Sequence, residues 1–73
     1  MIKYYFNVSL SYERFLPFYQ GKVKIIQVTD DFKRRIDLPA EHFRQFLTRD
    51  GIVGRFELTV EQSGKFISLD QIY

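Results

Sequence analysis

Residues 51–60, Gly-Ile-Val-Gly-Arg-Phe-Glu-Leu-Thr-Val, carry the plainest structural signal in the chain. Ile52, Phe56, Leu58 and Val60 alternate with Val53, Arg55, Glu57 and Thr59. Successive side chains of a strand point to opposite faces, so this period of two predicts a strand with one face on a core. Gly54 falls on the apolar face, where the missing side chain is expected to admit a neighbouring ring. Asp50-Gly51 turns the chain into this strand and Ser63-Gly64 turns it out, towards a last strand from Lys65 to Leu69.

The same alternation appears at the other end of the chain. Tyr4, Phe6, Val8 and Leu10 share one side of a strand over residues 4–10. Ser11 then suits a helix N-cap, and Tyr12, Phe15, Leu16 and Tyr19 follow at helical spacing. Pro17 lies inside that span, where it removes a backbone hydrogen bond and crowds the preceding turn. The expectation is a short helix over 12–20, kinked or partly irregular, stopped by Gly21.

Residues 22–29 return to strand character, but their apolar phase slips. Val23 and Ile25 share one face, whereas Ile26 and Val28 share the other. A β-bulge near Ile25–Ile26 or a strand buried on both faces would account for this. Asp30-Asp31 is read as a turn, because it lacks the alternating oxygen ligands of a calcium loop. Phe32, Ile36 and Leu38 continue on one side of the return strand. Pro39 then opens a second helix, whose apolar side is Phe43, Phe46 and Leu47.

Together these readings give one domain over 1–73, of the α+β class. Its sheet is small, curled, mostly antiparallel and of about five strands. Two short helices accompany it, in the order β-α-β-β-α-β-β.

Composition limits what such a domain can do. A chain of 73 residues buries only about 60% of the surface its unfolded form exposes, and domains of this size often need a staple. There is no cysteine and only one histidine, His42, which argues against disulfides, metal centres and bound cofactors. No catalytic residues are assigned: no nucleophile pairs with His42, Glu41 is adjacent in sequence but points elsewhere on a helix, and Glu13 is distant. Eight Phe and five Tyr, in contrast, make 18% of the chain aromatic. Each such ring can bury about 150–250 Å², more in sum than a five-strand interior holds. Some rings are therefore expected at the surface or in an oligomer interface, with Tyr5, Tyr12, Phe18 and Tyr19 the candidates for an interface. The leading reading is a non-enzymatic interaction module, pairing with itself or with another protein.

The net charge of +2, from eleven basic and nine acidic residues, is too balanced to identify a polyanionic partner by itself. Its one basic concentration is the hairpin at 22–35. Lys22, Lys24, Lys33, Arg34 and Arg35 are expected to form a ribbon across the two strands, with the lysines near Arg35 and Lys33. The alternative function is accordingly weak binding of single-stranded nucleic acid, by charge and base stacking. No apolar run approaches the ~18 residues of a membrane span, and the N-terminus has no signal-peptide pattern. The expected location is the cytoplasm, without a membrane partner.

Several stretches resemble a family of short bacterial proteins known as domain of unknown function 2835. They are Tyr19-Gln20-Gly21, Leu38-Pro39-Ala40, Phe43-Arg44-Gln45-Phe46, Gly51 to Phe56 and Gly64 to Leu69. The resemblance runs over nearly the whole chain, through turns, caps and core aromatics. It implies a stand-alone bacterial protein and carries no catalytic residues. Residues 36–47 are also similar to the strand-to-helix junction of single-strand-binding PUR repeats. That repeat places four strands before one helix, an order this chain does not share.

Overall fold

The computed structural model describes residues 1–73. Its elements are β1 (Ile2–Leu10), α1 (Tyr12–Tyr19), β2 (Ile25–Thr29), β3 (Arg35–Pro39), the 3₁₀ helix η1 (Ala40–Phe46), β4 (Ile52–Val60) and β5 (Phe66–Gln71). The order matches the sequence reading, and the five strands lie in two antiparallel sheets, β1-β4-β5 and β2-β3.

β4 is central because it is the strand with most to bury. It pairs with β1 from Val60↔Ile2 to Ile52↔Leu10, setting Phe56 directly opposite Phe6. Those two rings stack at 6.0 Å, and Phe43 and Phe46 of η1 meet Phe56 edge-on at 5.7 and 5.1 Å. Offset and edge-to-face contacts suit the ring quadrupoles and add about 0.5–1.5 kcal/mol each beyond area burial. Phe6, Phe15, Phe43 and Phe56 are fully buried, so four of the thirteen rings form the centre of the core.

α1 forms despite Pro17. Ser11 Oγ accepts from the Arg14 amide at 3.2 Å, so the helix is capped as expected. Pro17 falls in the second turn of a helix of eight residues, and its carbonyl accepts from the amides of Lys22 and Val23 at 2.9 and 3.2 Å. These bonds fold the following segment back on the helix. Gly21 follows with φ +79°, a left-handed conformation that ends the helix. At the other connection, a Cβ on Gly51 would collide with the Leu10 carbonyl oxygen and come within 2.6 Å of the Ser11 backbone. Only glycine permits this approach of β4 to the β1–α1 junction.

The structure corrects three local expectations. β2 pairs with β3 without a register shift, from Ile25↔Pro39 to Thr29↔Arg35. The phase slip is instead a late strand start, with Lys22–Lys24 outside the strand and Ile25 exposed. The irregularity lies between Thr59 and Val60, where β5 carries one additional residue. Phe32 is in the turn and 78% exposed, not in line with Ile36 and Leu38. Gly54 makes room for the Gln71 side chain and the Tyr73 backbone, not for a ring.

The β2–β3 turn is organised by Asp30. Its buried carboxylate accepts from the Phe32 amide at 3.0 Å, the Arg34 amide at 2.8 Å and Arg34 Nε at 2.7 Å. Lys33 takes φ +68°, completing a turn in which glycine is the usual occupant. The Asp31 amide donates to the Tyr5 carbonyl at 3.0 Å, bringing the hairpin beside the free edge of β1.

Candidate functional site

A groove of about 350 Å³ lies where the end of α1, the start of β2 and η1 converge. Its apolar lining is Phe18, Val23, Ile25, Pro39 and Ala40, and its charged lining is Lys24, Glu41 and Arg44. Each side has a local cause. Phe18 stacks on buried Phe15 at 5.9 Å, which holds it at the groove floor. The bonds to the Pro17 carbonyl place Val23 over the helix end. The Ala40 amide donates to the Lys24 carbonyl at 2.8 Å, extending the hairpin ladder past Ile25 and fixing Lys24 beside η1.

Arg44 closes one wall. One guanidinium nitrogen donates to the Tyr19 carbonyl at 2.6 Å, and the guanidinium lies 4.9 Å from the centre of the Tyr19 ring. A cation over an aromatic face is attracted by the ring quadrupole, so the contact also orients Tyr19. Val23, Ile25 and Tyr19 remain 45%, 50% and 51% exposed around the groove. Single exposed apolar residues are ordinary, but three about one concavity form a patch. None of Lys22, Lys24 and Arg44 has a carboxylate within ion-pair distance.

The interface candidates divide between surfaces. Phe18 lines the groove, Tyr19 borders it and Tyr12 is exposed elsewhere on α1. Tyr5 belongs to β1, where its hydroxyl donates to Glu57 at 2.7 Å and Lys3 meets the same carboxylate at 3.2 Å. The hydrogen bond to Glu57 raises the Tyr5 pKa above the usual phenol value, and the same bond, with that from Lys3, lowers Glu57.

The basic candidates are likewise separated, which corrects the expected ribbon. Arg35 pairs with Thr29 near the turn, whereas Lys24 lies at the open end opposite Ala40. Five residues of strand, about 16 Å, separate the two positions. Lys33 and Arg34 flank the turn with Arg35, and Lys22 lies beyond Lys24. Arg34 is engaged by Asp30 and sits 4.5 Å from the Tyr4 ring centre.

His42, on η1, stacks face to face on Phe66 at 3.8 Å. That contact gives it a packing role at the core boundary. No group of three or more His, Asp or Glu side chains is gathered as metal ligands, and no helix is long and apolar enough to cross a membrane.

Sequence reasoning missed Val23, Ile25, Pro39, Ala40, Glu41 and Arg44 as parts of one surface. A signal was present in the phase slip: Val23 and Ile25 were apolar residues for which a regular β2 had no interior place.

No curated protein and no solved structure matches the chain. A family match covers residues 2–72, nearly the whole length, and agrees with the resemblance carried by the turns and core aromatics. The chain therefore belongs to the family described as protein of unknown function (DUF2835).

Proposed function

We propose that this protein is a non-enzymatic interaction module whose groove holds an acidic, partly apolar segment of another protein. The observation that carries the reading is the joining of exposed Val23 and Ile25 to a groove bordered by the unpaired cations Lys24 and Arg44. An apolar side chain of the partner fills the space over Phe18 and Ala40. Flanking carboxylates meet Lys24, Arg44 and neighbouring Lys22. The groove carries Lys24 and Arg44 against the single acid Glu41, with Lys22 nearby, so charge favours an acidic partner.

The test is fluorescence anisotropy with a short labelled peptide in which Leu and Phe alternate with Glu. Binding at about 10–100 µM is expected at low salt, weakened about tenfold by Lys24→Glu. A Lys-for-Glu version of the peptide should not bind. Equal binding of both peptides, or binding unaffected by Lys24→Glu, would contradict the proposal. Sedimentation of the free protein reads self-association separately.

A second reading has its own observation. Phe32 projects from the β2–β3 turn, 78% exposed, beside Lys33, Arg34 and Arg35. Exposed rings among cations hold single-stranded nucleic acid by stacking and charge. On this reading an oligothymidine binds at low salt and is released as salt rises, and Phe32→Ala or Arg34→Ala with Arg35→Ala removes the binding.

A further inference from the structure

β3 has one edge with no strand beside it. In an antiparallel ladder, alternate pairs exchange both main-chain hydrogen bonds and the intervening residues point theirs outward. The Asp30 amide donates to the Arg34 carbonyl, and the Ala40 amide to the Lys24 carbonyl. The even-numbered pairs Val28↔Ile36 and Ile26↔Leu38 are therefore the bonded ones. Arg35 and Asp37 consequently aim their N–H and C=O groups at the free edge, and Pro39 ends the row because it has no N–H. A cleft of about 350 Å³ adjoins β3, lined also by Tyr4, Leu58, Val60 and Phe66.

Several registers bring two such edges together with outward groups facing, and one centred on Leu38 sets Asp37 only against Pro39 and loses the N–H bonds at Pro39. Centring on Asp37 opposes the two aspartates and sets Arg35 against Pro39 twice, with one bond lost at each. Centring on Arg35 opposes the two arginines. Centring on Ile36 sets Arg35 opposite Asp37 of the partner subunit, twice over. It uses all four N–H groups and all four carbonyls.

We propose that the free edge of β3 is a self-pairing surface, through which two copies join antiparallel about Ile36 with Arg35 and Asp37 as reciprocal ion pairs. Both side chains are exposed, and Arg35 has no carboxylate partner within its own chain. Asp37 accepts one bond from Gln27 Nε2 at 3.2 Å through Oδ1, leaving Oδ2 for the arginine. An edge carrying charges of one sign repels its own copy; this edge carries both signs in the complementary order. The two-fold contact is isologous and closed, so it stops at a dimer. It uses backbone and charge, not the exposed Tyr12 and Tyr19 rings, and is independent of the groove.

Sedimentation equilibrium from about 10 µM to about 1 mM at low salt tests it. The wild type should show a reversible monomer–dimer equilibrium. Arg35→Glu and Asp37→Arg should each weaken it about tenfold or more, because each places like charges opposite one another at two points. Arg35→Asp combined with Asp37→Arg should restore it. A monomer at every concentration, or a dimer insensitive to the single reversals, would overturn the proposal. Amide exchange of the unmodified protein supplies a second readout. The Arg35 and Asp37 amides should slow as the dimer forms, and unchanged exchange at concentrations that populate a dimer would equally overturn it.

Discussion

The Asp31 amide and the Tyr5 carbonyl, 3.0 Å apart, form the main-chain hydrogen bond that joins the β2–β3 hairpin to the edge of β1. Arg55, on the neighbouring β4, reinforces it by pairing with the Asp31 carboxylate while one of its nitrogens donates to Asn7 Oδ1 at 3.3 Å. The hydrogen bond to Asp31 raises the Arg55 pKa further, so the guanidinium stays charged at every ordinary pH. The hairpin is thus held at its turn by this backbone bond, the ion pair and the Arg34 guanidinium over the Tyr4 ring, while its open end forms a side of the groove.

Arg55→Ala should loosen the hairpin without unfolding the sheet. Hydrogen exchange is the measurement: the Ile26, Val28 and Asp31 amides should exchange faster, while those of β4 paired with β5 should change little. Equal acceleration throughout would mean that Arg55 supports the whole domain.

Lys33 occupies a left-handed backbone conformation, φ +68°, that costs a residue with a Cβ about 1–2 kcal/mol. Lys33→Gly relieves this strain but adds freedom to the unfolded chain, leaving a net gain of about 0.5–1 kcal/mol. Urea denaturation at neutral pH reads it directly, with a higher midpoint and an unchanged slope. An unchanged or lower midpoint would show that the Lys33 side chain contributes contacts of its own.

Asp30 makes stability depend on acid. Burial pushes its carboxyl pKa up, but hydrogen bonds from the Arg34 backbone and side chain and from the Phe32 amide outweigh that and hold it below the usual value. A folded-state pKa below the unfolded one gives stabilisation that is complete above the unfolded value, near pH 4, and is lost as pH falls through the folded value. Glu57, lowered by Tyr5 and Lys3, acts in the same direction. Asp30→Asn should lower the melting temperature at pH 7 and flatten its decline below about pH 4. An acid limb as steep as the wild type would assign the dependence to other groups.

Phe56 meets Phe6, Phe43 and Phe46 and is fully buried. Phe56→Ala should cost about 3–5 kcal/mol, most of what a domain of this length has to lose. Loss of near-ultraviolet circular dichroism at room temperature is the expected result, and a cooperative melt near that of the wild type would contradict it.

The strands with regular alternation were legible in the sequence because one face of each is buried. Phe6 on β1 and Phe56 and Leu58 on β4 cannot change phase without exposing the core. Ser11 and Gly21 bounded α1 because caps and left-handed stops depend on local chemistry. The hairpin was less legible for the same physical reason. Ile25 faces solvent, so its apolar character reported a surface and disturbed the strand pattern. Phe32 resembled the next core residue, but the Asp30 carboxylate had already folded residues 30–34 into a turn. The groove joins residues 18, 25 and 44, and a pattern local to any one of them does not disclose their meeting.

The most direct test of the groove is a ¹⁵N chemical-shift map recorded while the Leu/Phe/Glu peptide is added to the labelled protein. Shifts should concentrate at Gly21, Val23, Lys24, Ile25, Ala40 and Arg44, saturating below about 1 mM peptide, with β5 unmoved. No saturable change at that concentration, or changes centred on the Phe32 turn or spread evenly over the sheet, would contradict the assignment of this groove as the interaction surface.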